Sequence, residues 1–168
     1  MTRMGETYRV ETSSRFGPIA YADWVGRAHE LALKCAATGD VPVGAVVIGP
    51  TGEVLGEGWN QREGNPADPT AHAEVVAIRM AARGLNSWRL DGCSLAVTLE
   101  PCPMCAGALV LARLDRVVFG AWDPKLGACG SVWDIPRDRR VTHRVEVVGG
   151  IREQECADSL RAFFEGHR

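Results

Sequence analysis

The chain reads as an α/β protein, a three-layer α/β/α arrangement in which a five-stranded mixed sheet carries helices on both faces. Three observations lead there. Apolar runs of strand length and amphipathic stretches of helix length follow one another in the order α-β-β-α-β-α-β-β-α. The first two strand-like runs are separated by Pro50-Thr51-Gly52, a turn that makes them a β-hairpin. Further on, two strand-like runs flank a helix-like stretch within about 27 residues, a crossover that requires parallel strands.

Taken in order, residues 1–22 are polar and aperiodic, with Gly5, Ser13, Ser14, Gly17 and Pro18, and read as a flexible N-terminal arm. Residues 23–168 read as a single domain. Asp23 caps a helix that carries Trp24, Ala28, Leu31 and Cys35 on one stripe and ends at Gly39. The hairpin strands cover 43–48 and 54–59, and 61–69 is a polar loop. Thr70 caps a second helix over 71–83, closed by Gly84. A third strand occupies 94–99, and Pro101 holds a favoured first-turn position of a third helix that reaches Arg113. Residues 116–120 are a fourth strand and 122–140 a long loop rich in Gly, Pro and Asp. A fifth strand over 143–148 and a helix over 152–164 follow.

At 168 residues the chain suits one domain, able to bury about 70% of its unfolded surface. Its 46% hydrophobic and 24% charged residues are ordinary for a globular protein, and no apolar run approaches the length of a membrane span. No charged-then-apolar leader pattern opens the chain. Of six cysteines, two form a Cys-x-x-Cys and four are scattered, which points to a reducing cytoplasm rather than a disulfide framework. The net charge of −2 argues against broad, nonspecific nucleic-acid binding. Residues 113–144 are locally basic, with seven Arg or Lys against four Asp, enough for a few phosphates or simply a solvated face.

Chemistry concentrates in two motifs. His72-Ala73-Glu74 and Pro101-Cys102-Pro103-Met104-Cys105 each fall at the start of a helix. Cys102 and Cys105, three apart, share a helix face and can grip one ion, and thiolates near a helix N-terminus are favoured by its dipole. His72 completes three ligands, and three protein ligands with an open position distinguish catalytic from structural zinc. Iron fits these donors less well. Glu74 is a non-ligand carboxylate placed to move the protons of an attacking water. If the strands leading into both helices are neighbours, the two helix starts meet at one sheet edge, where α/β sheets bind ligands. A redox Cys-x-x-Cys, with Glu74 serving only the helix dipole, is the competing interpretation.

His-x-Glu followed by Pro-Cys-x-x-Cys is the signature of zinc-dependent nucleobase deaminases. Over about residues 24–164 the chain resembles the tRNA adenosine deaminases, bacterial members of the cytidine deaminase-like superfamily that convert wobble adenosine to inosine. The resemblance rests on Pro42-Val43-Gly44-Ala45-Val46, Gly56-Glu57-Gly58-Trp59-Asn60 and Asp68-Pro69-Thr70-Ala71-His72-Ala73-Glu74. It continues through Val97-Thr98-Leu99-Glu100-Pro101-Cys102, Arg116-Val117-Val118-Phe119-Gly120-Ala121 and Asp123-Pro124-Lys125 to Phe163-Phe164.

The resemblance implies His72, Cys102 and Cys105 as ligands of one zinc ion per subunit and Glu74 as the proton shuttle. It implies that Asn60 hydrogen-bonds the flipped-out nucleoside, a loop-capping role being the alternative. Asp123 would contact the preceding nucleotide, Lys125 a nearby phosphate, and Val43 would wall the base or be an ordinary core valine. A tRNA anticodon stem-loop as partner and a homodimer are implied as well. The chain also departs from the family. Trp122 stands where a polar residue is common, Leu126 makes the loop less polar, and the terminal Glu165-Gly166-His167-Arg168 is less basic. Cys129 is expected to be a packing residue rather than a fourth ligand. A deaminase of free guanine, cytosine or a nucleoside shares the zinc signature, and a non-catalytic zinc scaffold would need the open position closed.

Overall fold

The computed structural model describes residues 16–166. Its first helix, α1 (Pro18–Ala32), runs into a short 3-10 segment, Leu33–Ala37. Strands β1 (Gly44–Ile48) and β2 (Val54–Trp59) follow, then α2 (Ala73–Leu85), β3 (Ser94–Leu99) and α3 (Pro103–Leu111). The chain ends with β4 (Arg116–Ala121), β5 (Glu146–Val148) and α4 (Glu153–Gly166). The expected five-stranded mixed sheet is present, in the order β2-β1-β3-β4-β5.

The sheet's direction pattern locates the site. β1 pairs antiparallel with both β2 and β3, whereas β3–β4 and β4–β5 are parallel. Four strands therefore run one way and β1 alone runs back between β2 and β3. The strands entering α2 and α3 are not neighbours, the condition on which the sequence argument rested the meeting of the two helix starts. They nevertheless end at the same edge, because β1 reverses direction twice over. That edge collects the segment before β1 and the segments after β2, β3 and β4.

Alternation within the strands builds two cores. Ala45, Val47, Leu95, Val97, Val117 and Phe119 face one side, with Ala73, Ala77 and Ala81 of α2 and Ala106 and Leu109 of α3. Val46, Ile48, Ala96 and Val118 face the other, with Tyr21, Trp24, Val25 and Leu31 of α1 and Cys156 of α4. Each fully buried valine, leucine or phenylalanine stabilises the sandwich by roughly 1.5–3 kcal/mol. Against β2, the backbone of α2 approaches closely at two glycines. A Cβ at Gly56 would lie 2.3 Å from the Ala77 carbonyl, and one at Gly58 would lie 2.4 Å from that of Ala73. Among the described residues no helix is long and apolar enough to cross a membrane.

Several boundaries differ from the sequence expectations. Residues 1–15 of the expected arm lie outside the described residues. Pro18–Ala22 are not arm but the first turn of α1, since Pro18 takes the first helical position, where its missing N–H costs nothing. Asp23 thus lies inside the helix. α2 starts at Ala73 rather than 71 because Thr70 is held in a turn by the Asp68 carboxylate, 2.7 Å away. It passes through Gly84 and ends at Asn86, which takes the left-handed conformation at φ 50°. α3 has Pro103, not Pro101, at its first position. β5 is cut to three residues, because the Val145 N–H donates to the Pro136 carbonyl instead of a strand neighbour.

Candidate active site

His72 and Cys102 are the N-cap residues of α2 and α3, and Cys105 lies in the first turn of α3. The Nδ1 atom of His72 is 3.7 Å from the Cys102 Sγ and 3.6 Å from the Cys105 Sγ. A tetrahedral zinc with bonds of about 2.0 Å to nitrogen and 2.3 Å to sulfur separates a nitrogen from a sulfur donor by about 3.5 Å. Both nitrogen–sulfur separations therefore suit one zinc ion, and all three donor atoms lie within 4.8 Å of one another. Among the described residues they are the only His, Cys, Asp or Glu cluster so placed. Cys129, buried in the core and donating its N–H to Glu100, stands outside it as a packing residue.

The helix starts shape the electrostatics. The Cys102 thiol is pulled down to about 4 by a hydrogen bond from Cys105, helped by His72 against the cost of burial. Cys105 is pushed far upward by that same bond and by burial, so the pair shares one proton. The hydrogen bond to Cys102 raises the His72 pKa above 6.5. Glu74, 4% exposed in the first turn of α2, is pushed up to about 7. Burial is the main cause. The charge at Cys102 adds to it, while His72 and a hydrogen bond with Cys105 oppose it. A carboxyl poised near neutrality can both accept and return a proton.

His72, Glu74 and Cys102 line a cleft of about 190 Å³, smaller than the roughly 300–1,000 Å³ of drug-sized sites. Such a cleft admits one base-sized group and little more. Its walls come from the four chain segments gathered at the sheet edge: Val41 and Val43, Asn60 and Arg62, Leu99 and Glu100, Asp123 and Leu126. Val43, Asn60 and Asp123 thus line the cleft with His72, Glu74 and Cys102, whereas Lys125 is exposed outside it. Asn60 also holds the scaffold. Its Oδ1 accepts the Ala73 N–H at 3.0 Å, capping α2 from another loop, and its Nδ2 donates to the Val41 carbonyl at 3.0 Å. The Asp123 Oδ1 accepts the N–H groups of Lys125 and Leu126 at 2.9 and 3.2 Å.

Three lining or supporting residues escape the sequence reading. Arg62 lines the cleft and is held by the buried Asp40. Glu100, 2% exposed, directly follows β3 and gathers N–H donors from the loop after β4. Its position, charged at the end of an apolar strand, is the only local signal it leaves.

Residues 20–121 match the cytidine and deoxycytidylate deaminase zinc-binding region, so the fold and site define a zinc-dependent deaminase. A tRNA-specific adenosine deaminase of Bacillus subtilis (strain 168) is 47% identical over 141 residues, covering 84% of this chain and 86% of that protein. A structure from biochemical and structural studies of A-to-I editing by tRNA:A34 deaminases superposes with a TM-score of 0.77 at 38% identity. The match covers 82% of this chain and 98% of that one. A guanine deaminase from Nitrosomonas europaea shares the fold at a TM-score of 0.70 and 25% identity, over 84% and 83% of the two chains. The chain belongs to the family of tRNA-specific adenosine deaminases.

Proposed function

We propose that this protein hydrolyses adenosine at the wobble position of a tRNA anticodon, so that adenosine and water become inosine and ammonia. The observation that carries this is the buried Glu74 carboxyl beside the three-ligand cluster, at the bottom of a cleft that takes a single base. His72, Cys102 and Cys105 would hold the zinc ion, which would supply the Lewis acidity that makes a water nucleophilic near neutral pH. Glu74, buried beside that cluster, would accept a proton from the attacking water as the water oxygen bonds to C6 of the purine. It returns the proton to the exocyclic nitrogen as the C6–N bond breaks.

A base reaches such a cleft only out of its stack, which an anticodon loop allows at small cost. Asn60 keeps one amide hydrogen and one Oδ1 lone pair beyond its two scaffold bonds, and these orient the nucleoside. Val43 walls the base, Asp123 contacts the preceding nucleotide and Lys125 a phosphate. Electrostatic attraction for RNA is modest, since Arg116, Arg137 and Arg140 of the basic segment are already paired with Glu146, Asp134 and Asp138. Recognition then rests on loop shape and the flipped base. The working unit is a homodimer with one zinc per subunit, acting in the cytoplasm.

The test offers the zinc-loaded protein an anticodon stem-loop with wobble adenosine, the same stem-loop with guanosine, and free adenine, guanine and cytosine. Inosine in the first alone is the expected result. Faster turnover of a free base than of the stem-loop would replace this reading with the small-molecule one.

A further inference from the structure

Glu100 is a buried carboxylate whose partners all lie in one loop. Its Oε1 accepts the N–H groups of Cys129 and Ser131, each at 3.0 Å. Its Oε2 accepts the Asp123 N–H at 3.0 Å and the Ser131 hydroxyl. Among the described residues it forms no ion pair, so loop dipoles alone compensate its charge. Burying a carboxylate this deeply is costly unless its lone pairs are filled, and here four donors fill them.

The loop is shaped to meet it. A Cβ at Gly127 would lie 2.2 Å from the Glu100 Oε2 and 2.5 Å from the Asp123 carbonyl. Glycine alone therefore lets the loop close over the carboxylate. One residue on, the Ala128 N–H donates to the Pro101 carbonyl at 2.8 Å. Glu100 and Pro101 immediately precede the ligand Cys102, and the loop they hold carries Asp123 and Leu126 into the cleft wall.

We infer that Glu100 is a positioning residue for substrate. It fixes the Asp123–Ser131 loop to the strand end that bears Cys102, and so sets the distance between the wall that grips the substrate and the metal floor. This rests on the proposed deaminase reading and acts through Asp123 on binding, leaving the proton chemistry of Glu74 alone.

The test compares zinc-loaded wild type with Ser131→Ala, Glu100→Gln, Asp123→Ala and the double variant Glu100→Gln/Asp123→Ala. The wild type is first given the stem-loop and the free bases, and whichever it turns over serves for the variants. A failed substrate assignment is thereby separated from a failed role for Glu100. Losing one or two hydrogen bonds to a charged group predicts a KM raised about 10- to 100-fold in Glu100→Gln and less in Ser131→Ala. kcat stays within about threefold, one zinc is retained, and the double variant is no weaker than its worse parent. Where Glu100→Gln does not fold, Ser131→Ala and Gly127→Ala, measured with Asp123→Ala, carry the same comparison. A fall in kcat at unchanged KM, or effects that multiply in the double variants, would overturn the inference.

Discussion

Asp40 and Arg62 lock two loops together beside the cleft. The Asp40 side chain, with no exposed surface, accepts the Arg62 N–H at 2.6 Å and its guanidinium Nη2 at 3.2 Å. It also accepts the N–H groups of Val41 and Glu63 at 2.9 and 3.0 Å. Val41 and Arg62 both line the cleft, so this carboxylate holds one part of its wall and Glu100 another.

That arrangement gives a pH dependence. Burial alone would raise the Asp40 pKa, but the three backbone donors and the Arg62 charge outweigh it and hold the pKa below 3.8. A folded-state pKa below the unfolded one stabilises fully above pH 3.8, and the contribution is lost as pH falls through the folded value. Asp40→Asn is expected to lose about 1–3 kcal/mol at pH 7. In urea unfolding, the gap between wild type and variant should close as pH drops below 4. A gap that stays constant down to pH 2 would refute this.

Glu74→Ala removes the proposed proton carrier and none of the three proposed zinc ligands. Turnover is expected to fall by about 10²–10⁴-fold or more, while zinc remains at one per chain by metal analysis. Loss of zinc in this variant would show that Glu74 is a ligand instead.

Chelation separates metal from fold. α2 and α3 are held by fully buried Ala73, Ala77, Ala81, Ala106 and Leu109, independently of the three ligands. Removing zinc with a strong chelator is expected to abolish turnover while the far-ultraviolet circular dichroism persists. Added zinc then restores activity. Global unfolding on chelation would contradict the packing argument.

Gly58→Ala tests the small-residue contact between β2 and α2. The new methyl would sit 2.4 Å from the Ala73 carbonyl and 2.7 Å from the Ala77 N–H, both backbone. Overpacking of this kind costs about 1–3 kcal/mol or more, read as a lower Tm. Because α2 begins at the ligand His72, its displacement should also weaken zinc retention. An unchanged Tm would mean that the helix yields without cost.

What could be read in advance follows from where each signal resides. β3 was legible to the residue, since Ser94–Leu99 is an apolar run bounded by turn residues. The metal cluster was legible because its chemistry demands particular side chains at short spacing. The start of α2 was not. Its capping oxygen belongs to Asn60, 13 residues away, whereas the nearby Thr70 looked like a cap and is engaged by Asp68. Asp40 and Glu100 were missed for a related reason. Their partners are mostly backbone N–H groups more than 20 residues distant, and backbone donors leave no mark on composition. The strand order was half legible: the crossover gave β3 beside β4, but nothing local says that β1 lies between β2 and β3.

That intervening strand has a bearing on how the molecule is made. His72 emerges in synthesis 30 residues ahead of Cys102, and in the folded chain the two lie at one sheet edge because β1 pairs with a neighbour on either flank. That pairing and the buried contacts of α2 and α3 do not involve the three donors, so the fold is expected to form ahead of loading. Scarcity of zinc in the cell would then leave the number of molecules unchanged and lower the share of them at work.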